Sequence, residues 1–274
     1  MITNNPLPKL ITFDGEARSG KGTVVQATKD YLRDHEGHNT MLIDAGQVFR
    51  VLVVAVGRAG VDVDDPDGID AFLGDENNVQ ESVRLVKSVY RMSKEERDAL
   101  LYTNEVGVNS AKIGGRPLSQ EFKDNLLRKW LSDARDEGFE VVLLDGRTLE
   151  EVGTMLEQAG LCEFVMNLYF VCDSQIGARR TLGFATRSYD ELTTSEQQAV
   201  DELVIQIDER NAKDRNRAVQ AISRPVDAPL WALPDDAPSA VTTPPMFVVD
   251  TTAEMTIDTM TRPVSEVVAQ VLKA

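Results

Sequence analysis

Apolar residues fall into two alternating patterns along this chain. Five short runs are almost continuously apolar: residues 9–14 (KLITFD), 40–44 (TMLID), 139–145 (FEVVLLD), 163–173 (EFVMNLYFVCD) and 246–250 (MFVVD). Runs of this length predict strands buried on both faces. Between them the apolar positions recur with helical spacing. Val24, Val25, Thr28, Tyr31 and Leu32 form one such stripe, and residues 46–56 another. Leu118, Phe122, Leu126, Trp130 and Ala134 step by four, and Gly138 closes that helix. Residues 194–219 predict one long helix, and Val264, Val267, Val268, Val271 and Leu272 mark a last one. Alternating buried strands and helices predict an α/β fold: a doubly wound, five-stranded parallel sheet with helices on both faces.

Two stretches break this rhythm. Residues 57–115 open with the acidic turn GVDVDDPDG, then carry Val79, Val83, Leu85, Val86 and Val89 and the helix-start sequence SKEERDALL at 93–101. They predict a mostly helical segment without a sheet. Residues 225–245 hold six of the eleven prolines and predict a surface loop.

Charge narrows the partners. Against 29 Lys and Arg stand 45 Asp and Glu, a net charge of −16. Such a surface argues against nucleic acid and anionic membranes. No apolar run approaches the ~18 residues of a bilayer span, and residues 1–9 (MITNNPLPK) lack the pattern of a secretory signal. Cys162 and Cys172 lie in or beside strand-like sequence and read as core thiols; His35 and His38 share no zinc-site spacing with them. A cytoplasmic monomer is expected.

The chemistry begins at GEARSGKGT, residues 15–23, between the first strand and the first helix. This is G-x-x-x-x-G-K in the context a phosphate-binding loop needs. Gly15 and Gly20 let backbone N–H groups converge, the helix N-terminus adds positive potential, and Lys21 reaches the outer phosphates. Arg18, Ser19, Gly22 and Thr23 complete the expected ATP site. Gly22 follows Lys21 where many such loops have a hydroxyl for Mg²⁺. Magnesium is therefore expected to be held by phosphates and water, with Asp145 acting through water. A guanine-reading N-K-x-D is missing; NAKD at 211–214 has the wrong order.

A second anion site is predicted beside the first. Arg50 follows the second strand and Arg147 the third, and ligands of open α/β sheets bind beyond the carboxyl ends of strands. On the long helix Leu203, Ile207, Arg210, Asp214 and Arg217 lie within about 40° of one line, so an apolar stripe turns charged without leaving its face.

With these residues in place the chain resembles the bacterial cytidylate kinase family. The matching stretches are ITFDGEARSGKGT, DAGQVFR, LLDGR, GARR, ERNAKDRNRAV and VVDTT, in family order over nearly the whole chain. The resemblance implies a P-loop kinase core of residues 1–56 and 116–274, and an inserted acceptor-binding segment at 57–115. It also implies a lid at about 174–190 bearing Arg179 and Arg180 over the triphosphate; Gly177 and Gly183 flank these arginines and are its expected hinges. ATP and Mg²⁺ are the implied cofactors and a nucleoside monophosphate the acceptor. Lys21, Arg147, Arg210, Arg217 and Asp214 are the implied catalytic set; Asp44, Arg50, Lys123 and Thr148 join the acceptor site.

Four positions depart from the family pattern. Arg18 stands at an inner loop glycine, Ala45 at a hydroxyl that helps read the base, Thr148 at a carboxylate after DGR, and Lys123 at a helix arginine. The triphosphate half matches more fully than the base-reading half. A kinase for CMP, dCMP or a related pyrimidine monophosphate is the expected activity. The alternatives are a P-loop kinase for another small acceptor and a nucleotide-binding module without transferase activity.

Overall fold

A computed structural model of the chain describes residues 5–273. Its strands are β1 (Lys9–Gly15), β2 (Thr40–Asp44), β3 (Val141–Asp145), β4 (Glu163–Val171), β5 (Leu230–Ala232) and β6 (Met246–Asp250). They form one sheet in the order β2-β3-β1-β4-β6-β5. β1 pairs with β3 and β4, and β6 with β4 and β5, all in parallel. This is the doubly wound α/β fold, with six strands where the apolar runs predict five. The added strand, β5, sits inside the proline-rich stretch. Three residues between Pro229 and Leu233 carry too little alternation to read as a strand. Trp231 nonetheless lies 1% exposed, its ring edge-on to Phe247 at 5.9 Å.

The chain divides into two compact units. The first comprises the chain up to Ile43, Leu131–Asn216 and everything from Ala221 on. Here Ile11 and Phe13 of β1, Val141 and Leu143 of β3, Met166, Leu168 and Phe170 of β4, and Phe247 and Val249 of β6 share one buried cluster. Val24, Val25 and Leu32 of α1 (Lys21–Asp34) and Met260, Val264 and Val268 of α11 (Ile257–Lys273) complete it. Alternate residues of each strand thus face the same two helices, as a pleat requires. Thr28 and Ser265 meet at 3.1 Å between those helices. α8 (Leu149–Gln158) packs on β1 and β4. It approaches so closely that a Cβ on Gly153 would stand 2.9 Å from the Phe164 ring.

α9 (Ser174–Thr181) and α10 (Thr194–Arg215) carry a smaller core of their own, Ala178, Leu192, Val200 and Ile207. Thr193 and Glu196 close a capping box at the start of α10. The helix ends earlier than its charge pattern predicts. Asn216 caps it, and the Ile222 N–H donates to the Asp214 carbonyl at 3.0 Å, folding the chain back on the last turn. Arg217 therefore does not continue the helical line of Arg210 and Asp214.

The second unit is Asp44–Trp130 with Arg217–Gln220. It holds α2 (Ala45–Arg58), α3 (Pro66–Gly74), α4 (Glu76–Val89), α5 (Lys94–Leu101), α6 (Asn104–Gly114) and most of α7 (Pro117–Asp136). α2 is the hub, packing against α4, α5 and α6. Side-chain caps start the helices: Asp44, Asp65, Asp75, Ser93 and Thr103 each accept from a backbone N–H of the following turn. Among the described residues this unit has no strand, as its sequence predicts. It is wider than residues 57–115, taking in α2 and most of α7 as well. Among the described residues no helix is long and apolar enough to cross a membrane.

Candidate phosphoryl-transfer site

The phosphate loop grows out of β1. Gly15 has φ 133, and a Cβ there would lie 2.2 Å from the Phe170 carbonyl oxygen, so only glycine fits between the strands. The Gly15 N–H donates to the Asp14 carboxylate at 2.6 Å, the Glu16 N–H to the Phe170 carbonyl at 2.9 Å and the Ala17 N–H to Oδ1 of Asn211 at 2.8 Å. Arg18 at φ 59 and Gly20 at φ 80 both take the left-handed conformation. Such turns bend successive N–H groups inward into a concave anion nest. Arg18 adopts the conformation where glycine is easier, so its side chain does not prevent the loop from forming. Thr251 Oγ1, just past β6, donates to the Ser19 carbonyl at 2.8 Å and holds the far side of the loop.

Lys21 opens α1, and its ammonium pairs with the carboxylate of Asp145 at the end of β3. Two residues on, Arg147 pairs with Asp214 of α10, whose side chain is nearly buried. Arg210 Nε stands 4.0 Å from the same carboxylate. Thr148, buried at φ 59, precedes α8. Glu16 pairs with Arg215 at 3.1 Å, yet burial pushes its carboxyl up. Burial also pushes the Asp14 carboxyl up, against the N–H groups of Leu149 and Gly15 that favour its ionised form. A cavity of about 490 Å³ borders this region, lined by Asp14, Thr148, Glu150, Ser223, Arg224 and Asp227 among others.

The two arginines of the expected lid are anchored. Arg179 is 3% exposed and reaches both the Glu254 carboxylate and the Arg187 carbonyl. Arg180 donates to the Ala253 carbonyl at 2.6 Å. Both thus grip the turn that follows β6. Gly177 lies inside α9, where a Cβ would stand 2.9 Å from the Arg18 carbonyl oxygen; Gly183 follows the helix at φ 85. Close approach to the phosphate loop, rather than a bend, is what the structure shows at Gly177.

The remaining expected residues lie in the second unit. Asp44 caps α2 through the Gln47 N–H at 3.0 Å and accepts from the Tyr102 hydroxyl at 3.1 Å. Arg50 donates to the Leu101 carbonyl at 2.8 Å and lies over the Tyr102 ring, 4.6 Å from its centroid. Burial and the Asp44 charge push the Tyr102 hydroxyl up to about 12. Lys123 is 2% exposed, its ammonium 2.8 Å from Gln220 Oε1 and 2.9 Å from Asp124. Arg217 belongs to the short stretch of this unit that contains Gln220. Within the units the structure therefore assembles two groups: Lys21, Asp145, Arg147, Arg210 and Asp214 in the first, and Asp44, Arg50 and Tyr102 in the second. Tyr102 and Asn211 escape sequence reading. Tyr102 stands in no recognisable motif. Asn211 lies within the stretch ERNAKDRNRAV, but its bond to Ala17, distant in the chain, is not readable from that stretch.

A comparison with family models decides among the phosphate-loop proteins. The model described as cytidylate kinase matches residues 11–231, from β1 through β5. The chain belongs to the cytidylate kinase family. A cytidylate kinase of Cupriavidus pinatubonensis is 25% identical over 222 residues, covering 81% of this chain and 86% of that protein. Those of Aliivibrio salmonicida and Vibrio cholerae are 28% and 27% identical, each over 80% of this chain and 86% of theirs. Membership makes the protein a transferase of the nucleoside monophosphate kinase class.

Proposed function

We propose that this cytidylate kinase family member transfers the γ-phosphoryl group of ATP to CMP, dCMP or a related pyrimidine monophosphate. The observation that supports this most is that both expected phosphate-binding cations are paired with carboxylates: Lys21 with Asp145 at the end of β3, and Arg147, two residues beyond β3, with Asp214 of α10. An anion entering beside either cation competes for a charge that is already held in place. The expense of ordering a long cationic side chain is thereby met before substrate arrives.

In the reaction an oxygen of the acceptor's phosphate attacks the γ-phosphorus in line. The bond from that phosphorus to the β,γ-bridging oxygen breaks, and ADP leaves with the bonding electrons. No covalent enzyme intermediate is needed, so catalysis is positioning and charge stabilisation. Backbone N–H groups of residues 18–22 and Lys21 would hold the β- and γ-phosphates. Arg147, Arg210 and Arg217 would meet the acceptor's phosphate or the group in transfer, and Asp214 would orient them or reach the acceptor's sugar. Arg179 and Arg180 would cover the triphosphate side, and Arg50 the acceptor side together with Asp44, Lys123 and Thr148. The donor set fits magnesium held through phosphates and water: Asp145 is a carboxylate already beside a cation, and Gly22 supplies no hydroxyl. When bound, the ion would screen the β- and γ-phosphate charge. Action as a cytoplasmic monomer completes the reading.

A coupled ADP-release assay with a panel of nucleoside monophosphates tests it. Turnover with CMP that Lys21→Ala abolishes is the expected result. ADP release only with a different small acceptor would point to another P-loop kinase activity. ATP binding without transfer to any acceptor would point to a nucleotide-binding module.

A further inference from the structure

Two side-chain links tie the phosphate loop to the helix that carries Arg210 and Asp214: the Glu16–Arg215 ion pair, whose arginine is half exposed, and the buried amide of Asn211. Asn211 is 3% exposed on α10, and its Oδ1 accepts the Ala17 N–H at 2.8 Å across 194 residues of sequence. Gly15 and Glu16, the two residues before Ala17, donate to the adjacent Asp14 and to β4. Those bonds fix the loop to the sheet. The Ala17–Asn211 bond instead fixes it to α10. Asn211 directly follows Arg210 and precedes Asp214 by three residues, so the three lie within about 6 Å along the helix axis. Any slip of α10 against the loop moves Arg210 and Asp214 relative to bound triphosphate and must break this bond.

The choice of amide matters too. A carboxylate would accept the same hydrogen bond, but it would place a negative charge against a loop whose inward N–H groups attract anions. Asp14 and Glu16 already stand at that end of the loop, and burial raises the cost of charging both. An uncharged acceptor avoids a third charge.

Building on the kinase reading above, we propose that Asn211 is a positioning residue that holds α10 in register with the phosphate loop and, being neutral, preserves the loop's affinity for triphosphate. Two variants separate the parts of this claim. Asn211→Ala removes the acceptor without adding charge. Asn211→Asp keeps the acceptor and adds charge.

Three readouts apply: kcat with ATP and CMP, equilibrium binding of a non-hydrolysable ATP analogue, and amide exchange of the peptide containing Ala17. Asn211→Ala should lower kcat by about 10²-fold, since displacements near 1 Å cost that much. It should weaken analogue binding less than about fivefold and speed exchange at the loop at least about tenfold. Asn211→Asp should recover most of kcat and keep the loop protected, yet weaken analogue binding about tenfold.

Normal kcat and unchanged loop exchange in Asn211→Ala would overturn the proposal. So would parallel losses in both variants that follow their melting temperatures, the behaviour of a merely structural residue. If the parent transfers to no acceptor, the kinase reading fails on its own. Analogue binding and exchange then decide the positioning claim. Fast exchange in the Ala variant with weak binding in the Asp variant upholds it, and three indistinguishable proteins overturn it.

Discussion

Lys21 and Arg147 are each held by a carboxylate at the end of β3 or on α10, which makes their replacement informative. Lys21→Ala should cut kcat by at least about 10²–10³-fold, the range for losing one charge-stabilising donor. The melting temperature should fall as well, because the pair is mostly buried and Asp145 loses this cation. Arg147→Lys keeps the charge but loses the planar fork, so on this account kcat/KM should fall about tenfold or more. Retention of full activity would remove Arg147 from the transfer site.

Asp14 offers a pH signature. Burial lifts its carboxyl above the ordinary 3.8. A raised folded-state value means the protonated form's contribution to stability is complete below the unfolded value and is lost as pH rises through the folded one. Melting curves of the parent and Asp14→Asn between pH 4 and 8 should converge or cross in the variant's favour as pH rises. A gap independent of pH would contradict the assignment.

These residues differ in how far sequence could find them. The loop glycines and Lys21 obey a local rule, a motif contained within nine residues. Tyr102 under Arg50, and Asn211 on Ala17, acquire their roles only from folding, and no spacing encodes them.

At the scale of elements, the strands were legible because strands buried on both faces are apolar throughout. β5 was not, since three residues carry no period, and its contribution comes from one tryptophan. The end of α10 was misread for a different reason. Arg217 keeps the helical phase of Arg210 and Asp214, but the Asn216 cap and the return bond from Ile222 stop the helix first.

The contact of α8 with Phe164 yields a stability test. Gly153→Ala places a methyl 2.9 Å from the ring, and overpacking of this kind costs about 1–3 kcal/mol. Chemical denaturation should show that loss with kcat at low temperature preserved, whereas a stabilised variant would mean α8 has room to shift. The segment 174–190 makes a second test. Arg179 and Arg180 already grip the turn after β6, and Gly177 touches Arg18. If this segment closes over triphosphate, a bisubstrate analogue should add hydrogen-exchange protection at 174–190 and at part of 55–115. Protection limited to the loop itself would show that no closure occurs.

For the whole molecule, the net charge of −16 disfavours polyanions in general, while Lys21, Arg147 and Arg210 gather positive charge locally. The division of labour between its units was only partly legible. The inserted helices announced themselves by composition, but α2 and α7 carry ordinary amphipathic stripes that do not say which unit they join.

The two halves of the chemistry also differ. The phosphate loop is anchored by hydrogen bonds at Gly15, Glu16, Ala17 and Ser19. At the positions proposed for the acceptor, Ala45 and Thr148 supply fewer polar groups than the family pattern, and Lys123 is buried against Gln220 and Asp124. Strict discrimination needs buried polar groups that a wrong ligand leaves unpaired, which can reach ~10⁴-fold. The account therefore holds that phosphate recognition is kept while base and sugar recognition is relaxed.

The most direct measurement is kcat/KM for CMP, dCMP and UMP in a coupled ADP-release assay, on the parent and on Ala45→Ser combined with Thr148→Asp. The account predicts that CMP is a substrate of the parent, favoured over the others by no more than about 10²-fold, ~2.7 kcal/mol, and that the double variant widens the gap. A strict CMP preference in the parent, or no transfer to any pyrimidine monophosphate, would contradict it.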